Sequence, residues 1–112
     1  MPPVTEKSDI LRGTLDMLVL KTLSLEPMHG YGIALHLRQV TNDALQVEEG
    51  SLYPALHRLE EAGWIKARWK TTDSGRKARV YDITPDGRKQ LTSEEARWRA
   101  ITAAVGHILK HA

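Results

Sequence analysis

The chain of 112 residues contains no cysteine and no phenylalanine, and aromatic residues make up only 5% of it. Without cysteine, a disulfide framework and a metal site built from thiolates are both excluded. No apolar run approaches the roughly 18 residues that a membrane-spanning helix needs. Residues 1–7 contain two prolines and no apolar stretch, unlike a signal or transit peptide. These absences predict a cytoplasmic protein that has no membrane partner.

The remaining composition is that of an ordinary globular chain, with 41% apolar and 27% charged residues, and its length suits one domain. The net charge is only +2, but the charge is unevenly distributed. Between Trp64 and Gln90 there are eight basic and three acidic residues, which leaves the rest of the chain net negative. Such a patch is typical of phosphate binding, although a solvated charged hairpin would look the same.

The most informative stretch runs from Val47 to Ile65 and predicts a helix that passes directly into a strand. Leu52, Leu56 and Leu59 recur at the spacing of one helical face, and Gly63 follows as a helix stop. The start is expected near Glu48 to Ser51, since a proline at position 54 is tolerated best near a first turn. The exposed side chains would then be available to DNA, namely Ser51, Tyr53, Pro54, His57 and Arg58.

The residues after this helix predict a β-hairpin. Ile65, Ala67 and Trp69 alternate with basic residues, residues 72–75 supply a turn, and a return strand follows from Ala78 to Ile83. A helix followed by such a hairpin is the pattern of a winged helix-turn-helix, in which the helix enters the major groove and the wing contacts the backbone. The predicted phosphate contacts of the wing are Arg76, Lys77 and Arg79.

Two helices are predicted before this unit, at residues 11–25 and about 31–40, with a break at residues 26–30. The first is apolar nearly all round, so it must be covered from two sides. The second cover is either another subunit or the rest of its own domain. Together with the third helix, these two make a tri-helical core.

The last predicted helix has Thr84 as its N-cap and Pro85 at its first position, and it runs to about Leu109. Its apolar residues follow a short heptad pattern, interrupted by Glu94, which favours pairing with a second copy over packing on its own domain. The residues predicted for the dimer interface are Leu15, Leu18, Leu91, Trp98, Ile101, Val105 and Ile108.

Catalytic and metal sites are not favoured by the sequence. His107 and His111 have the spacing of a metal-binding pair, but no third ligand is evident nearby. Ser51 and His57 lack a third group that would orient a catalytic base. We therefore expect no enzyme activity, no metal and no cofactor.

Four features resemble the PadR family of bacterial transcriptional regulators. They are LRGTLDMLVLKTLSLEPMHGYGI, GSLYPALHRLEEAGWI, GRKARVYDITPDG and the single terminal helix, and the resemblance spans about residues 10–91. The single terminal helix resembles the smaller PadR subgroup. The resemblance implies a winged-helix homodimer that forms through the first and last helices. In drug-sensing members of that subgroup, aromatics of the terminal helix line a pocket at the dimer interface, which would make Trp98 a contact for a small hydrophobic effector. The alternative, slightly favoured by the apolar stripe, is that Trp98 only packs.

The chain departs from the family pattern at two places. Glu48 and Glu49 stand where relatives often have Ser-Pro, and residues 76–81 read RKARVY where relatives often have Arg-Pro-Arg and two aromatics. These departures support a contact from Arg76 better than one from Ala78. They also leave open whether the chain prefers the inverted ATGT and ACAT half-sites that are common in the family.

We therefore predict a mainly α fold with a small β-hairpin, divided into three parts. Residues 1–9 form a flexible arm, residues 10–84 a winged helix-turn-helix DNA-binding domain, and residues 85–112 a dimerisation helix. The predicted function is that of a homodimeric regulator, a repressor of an inverted-repeat operator in double-stranded DNA. The alternative is a winged-helix module for protein–protein contact without sequence-specific DNA binding.

Overall fold

The computed structural model describes residues 9–111, with side chains from Gly13 onward. The elements are α1 (Asp9–Leu25), β1 (Met28–His29), α2 (Gly30–Val40), α3 (Glu49–Glu61), β2 (Ile65–Thr71), β3 (Lys77–Ile83) and α4 (Pro85–His111). The predicted fold class is confirmed. The predicted flexible arm lies outside the described residues except for Asp9, at which α1 begins.

The core is built around α1, which contacts α2, α3, α4 and β3 of its own chain. Val19, Leu20 and Leu23 of this helix are almost completely buried. Of the two alternatives for what covers this helix, the rest of its own domain is therefore the one that applies to these residues. Leu15 of α1 and Leu91 of α4 are also buried within the same core. The sequence pattern predicts these two residues for a dimer interface, whereas the core of their own chain covers them and leaves little of either on the surface.

The sheet has three antiparallel strands in the order β1-β3-β2. The hairpin pairs Ile65 with Ile83 at its base and Thr71 with Lys77 near its tip. The short strand β1 pairs with β3 at the break between the first two helices, where the sequence suggested only a turn. Two residues are too few for an alternating pattern, so only the pairing with β3 reveals this strand.

The end of α3 and the start of α4 meet at a junction of backbone hydrogen bonds. Gly63 has a φ of 78°, and the amides of Gly63 and Trp64 donate to the carbonyls of Glu60 and Leu59. This is a Schellman motif, which closes the helix and leads into β2. The amide of Thr84 donates to Trp64 O at 3.0 Å, and its hydroxyl donates to Gly63 O at 2.7 Å.

The predicted N-cap of α4 is confirmed, because Thr84 Oγ1 accepts the amide of Gly87 at 3.0 Å. Gly87 itself is buried directly against the carbonyl of Trp64. Thr84 thus joins the end of α3 to the start of α4.

Candidate nucleic-acid interface

The helix α3 lies on the core along one side and faces outward along the other. Leu52, Leu56 and Leu59 are buried as predicted, and Ala55 completes their face. At 100° per residue, four residues of α3 lie on the side of the helix opposite this buried face. The exposed residues there are Gly50, Pro54, His57 and Glu61. Ser51 is half-buried on the flank, and α3 continues without a break through Pro54.

Besides Glu61, His57 is the side chain with hydrogen-bonding capacity at the centre of this outward face. Its Nε2 lies 3.0 Å from Glu61 Oε1, and both side chains are about 70% exposed (71% and 69%). An exposed pair of this kind adds little to stability. It does present an imidazole and a carboxylate together, which are groups that can donate to and accept from base edges.

Tyr53 lies at the edge of the outward face toward α2. It is 47% exposed, and its ring lies on Gly30 at the start of α2. Beside it is an open groove of about 330 Å³ between α3, the first turn of α2 and the wing, whose lining includes Tyr31, Arg79 and Tyr81. A tyrosine in such a groove can offer both an apolar ring face and a hydroxyl to a nucleic acid.

Arg58 turns away from the outward face toward α1. Its guanidinium donates to Asp16 Oδ1 at 2.8 Å, and the Arg58 and Asp16 side chains are only 35% and 26% exposed. The guanidinium Nε is buried and has no hydrogen-bond partner among the described residues. Arg58 therefore anchors α3 to the core in this structure. Helical spacing predicts an exposed Arg58, because spacing alone does not reveal a partner such as Asp16, 42 positions earlier in the chain.

Arg79 is also engaged within the chain. Its guanidinium donates to Glu60 Oε2 of α3 at 2.9 Å and lies 5.9 Å from the ring centre of Tyr81. Burial raises the pKa of the Tyr81 hydroxyl, with smaller effects from the Arg79 cation, which lowers it, and from Glu60 and Tyr53, which raise it. A phosphate would have to compete with Glu60 for Arg79.

The wing tip carries the other two predicted contacts. Arg76 and Lys77 are exposed, and among the described residues no salt bridge is found for either side chain. The turn before them is fixed, since the amide and hydroxyl of Thr72 both donate to Arg76 O. Trp69, which alternates with the basic residues of β2, is 68% exposed, since burial along this strand decreases from Ile65 toward the wing tip.

The distal part of α4 has an exposed apolar stripe. Its members are between 43% and 68% exposed and comprise Trp98, Ile101, Val105 and Ile108. Leu18 of α1 is partly buried against the core. Near the start of this stripe, a cavity of about 270 Å³ lies between α1 and α4, with Trp98, Ile101 and Met17 in its lining. Of the residues predicted for the dimer interface, Leu15 and Leu91 thus lie in the chain's own core, and the four residues of the stripe lie on the surface.

The sequence profile of the Transcriptional regulator PadR-like family matches residues 19–93. This match covers more than half of the chain. The chain belongs to the PadR-like family of transcriptional regulators.

Individual relatives agree with this PadR-like assignment. Transcriptional regulator Rv3488 of Mycobacterium tuberculosis is 32% identical over 83 residues, which are 74% of each protein. A solved PadR-like transcriptional regulator from Bacillus cereus is 30% identical with a TM-score of 0.80, covering 94% of this chain and 100% of that one. A transcriptional regulator from Clostridium thermocellum is 29% identical with a TM-score of 0.82, covering 89% and 97%.

Membership of the PadR-like family agrees with the expectation of a regulator and not an enzyme. The pair His107 and His111 has its rings stacked 6.3 Å apart, and residues 9–111 contain no group of three or more acidic or histidine side chains placed to hold a metal. None of the helices in the described part of the chain combines the length and apolarity needed to cross a bilayer.

Proposed function

We propose that this PadR-like protein is a sequence-specific DNA-binding repressor that acts as a homodimer on an inverted repeat. The observation that carries the proposal is the outward face of α3 beside the cations of the wing tip. A helix in the major groove and a wing on the backbone need this arrangement. In it, Tyr53, Pro54 and His57 would face base edges, with Ser51 on the flank.

In this proposal the wing supplies affinity more than specificity. Arg76 and Lys77 would contact phosphates directly, since their side chains are exposed at the tip. Arg79 would contribute only if it left Glu60, so we assign it a smaller part. Arg58 is retained as an anchor of α3, because its bond to Asp16 holds it away from the groove.

The second copy would lie along the apolar stripe of α4. A helix of 27 residues is about 40 Å long at 1.5 Å per residue, and only its first part packs on α1, where Lys21 lies 3.5 Å from Glu95. Beyond that point, Ile101, Val105 and Ile108 recur at heptad spacing and are exposed. A two-fold pairing of the same stripe would cover these side chains in both copies.

A small hydrophobic effector would bind at the cavity beside Trp98. The cavity of about 270 Å³ includes apolar lining from Met17 and Ile101 and charged groups from Glu94 and Arg97. Few polar groups around an apolar site are typical of small-molecule pockets. Because this cavity adjoins the stripe, an effector there would alter how two copies pair.

The DNA proposal is tested by selecting binding duplexes from a random library, followed by titration of the selected and a scrambled duplex at several salt concentrations. We expect an enriched inverted repeat. Lys77→Ala should weaken both duplexes alike and reduce the salt slope by about one ion per contact in each subunit. Lys110→Ala, which removes the same charge at the far end of α4, is the control and should change the slope less. Failure to enrich any duplex would favour the protein-interaction module.

The dimer proposal is tested by light scattering at micromolar concentration. The wild-type chain should have about twice its mass of 12.6 kDa. Ala103→Asp adds the same charge as Ile101→Asp within the stripe, but on the opposite side of α4, and should leave this mass unchanged. A monomeric wild-type protein across the micromolar range would contradict the proposal.

A further inference from the structure

The first residue of α2 lies directly beneath the phenol ring of Tyr53. Gly30 is buried, and a Cβ at this position would lie 3.0 Å from both Cε1 and Oη of Tyr53 and 3.2 Å from Cζ. Distances of this size are tighter than ordinary contacts between carbon atoms, which are 3.5 Å or more. The end of the tyrosine ring therefore occupies the space that any side chain at position 30 would need.

The backbone gives no reason for a glycine at this position. The glycines with a positive φ are Gly63 and Gly75 among the described residues, so Gly30 has a conformation that alanine also adopts. Inside a helix, glycine is less favourable than alanine by up to about 1 kcal/mol. The missing side chain at position 30 is thus explained by the tyrosine ring that lies on it.

On its other side Tyr53 faces an open groove. It lines this groove of about 330 Å³ together with Arg79 and Tyr81 of the wing, and it contributes to the raised pKa of Tyr81. The ring therefore rests on the first turn of α2 and has open space toward the wing, into which it can be displaced. It is still 47% exposed, so the remaining surface is available to a ligand.

We propose that Gly30 is a positioning residue that sets the DNA specificity of α3 through the ring of Tyr53. The inference rests on the proposed function, because it assumes that α3 reads DNA. A methyl group at position 30 would push the phenol end away from α2, by a few tenths of an ångström or more. Contacts with base edges depend on such distances, whereas phosphate contacts by the flexible wing cations do not.

The test is a double-mutant cycle on the duplex that the wild-type protein selects and on a scrambled duplex. The variants are Gly30→Ala, Tyr53→Ala and both together, with circular dichroism as a folding control. Gly32→Ala is the matched control, since it adds the same methyl to the same helix and meets the ring of His29 at 3.3 Å and Met28 Cβ at 3.7 Å, but not Tyr53. We expect Gly30→Ala to weaken the selected duplex roughly tenfold, the size of one lost specific contact, and to change the scrambled duplex less than twofold.

The cycle decides whether Gly30 acts through Tyr53. In the Tyr53→Ala background, Gly30→Ala should have no further effect on the selected duplex, because the ring is gone. Equal losses from Gly30→Ala in both backgrounds would overturn the proposal, as would no loss in the wild-type background. If Gly30→Ala does not fold alone but folds together with Tyr53→Ala, the methyl group acts on the fold and not on DNA choice, and the proposal is overturned. A wild-type protein that selects no duplex would instead contradict the proposed function.

Discussion

Replacing Gly87 by alanine should destabilise the whole domain, although alanine is the better helix former. A Cβ on Gly87 would overlap the carbonyl oxygen of Trp64 and lie 2.8 Å from Ile83 Cγ1. The obstacle is backbone, which cannot rotate away, so α4 would have to move. That movement would stretch the bond from Thr84 N to Trp64 O and the cap from Gly87 N to Thr84 Oγ1.

The size of the effect follows from these contacts. Overpacking costs roughly 1–3 kcal/mol, a lost N-cap about 1 kcal/mol and a lost hydrogen bond about 1 kcal/mol. Alanine returns up to about 1 kcal/mol of helix propensity. The net loss is roughly 2–4 kcal/mol, out of the roughly 5–15 kcal/mol that holds a domain of this kind folded. At about 4–8 °C for each kcal/mol in a small domain, the Tm should fall by about 8–32 °C.

The assay is thermal unfolding followed by circular dichroism, with all variants at one protein concentration because dimer formation would shift the Tm. Gly106→Ala is the matched control, since nothing lies within 4 Å of its Cβ position. It should raise the Tm slightly through helix propensity. A Gly87→Ala protein that melts at or above the wild-type temperature would refute the reasoning about the junction.

Three further outcomes are expected. Arg76→Ala should weaken binding to all duplexes more than Arg79→Ala does, as read from paired DNA titrations, because Glu60 already holds Arg79; the reverse order would contradict the assignment. Ile101→Asp should give the mass of one chain in light scattering, since it places a charge on the exposed stripe; an unchanged dimer would exclude this stripe. Because the pKa of Tyr81 is raised in the folded protein, its contribution to the free energy of unfolding is fully present below the unfolded pKa of about 10 and is lost as pH rises through the folded pKa. In urea titrations at alkaline pH, Tyr81→Phe should therefore lose less stability than the wild type.

The local parts of the fold could be predicted from the sequence. The leucines of α3, the stop at Gly63, the hairpin and the cap at Thr84 all depend on residues within a few positions of one another. Local spacing and turn chemistry are sufficient for such features. The short strand β1 was missed because it exists only through its pairing with β3.

The candidate site was predicted less completely, since the conformations of its side chains depend on distant partners. Arg58 is held by Asp16 of α1, and Arg79 is held by Glu60 of α3. Arg58 is predicted to contact DNA from its position on the helix and Arg79 from the basic pattern of the wing, and sequence spacing does not reveal the carboxylates that they meet. The burial of Leu91 also depends on distant residues. Its heptad position suits a partner helix, but the core of its own chain covers it.

The three attachments of α3 have a thermodynamic consequence. Arg58 joins it to α1, Tyr53 lies on α2, and Glu60 joins it to β3, so the helix is fixed in orientation before any ligand arrives. A surface that is already ordered loses little conformational entropy on association. Binding should then resemble the docking of a rigid body, with a heat-capacity change that matches the area buried and no added contribution from folding. The entropy lost on complex formation would come mainly from the wing cations and from the nucleic acid.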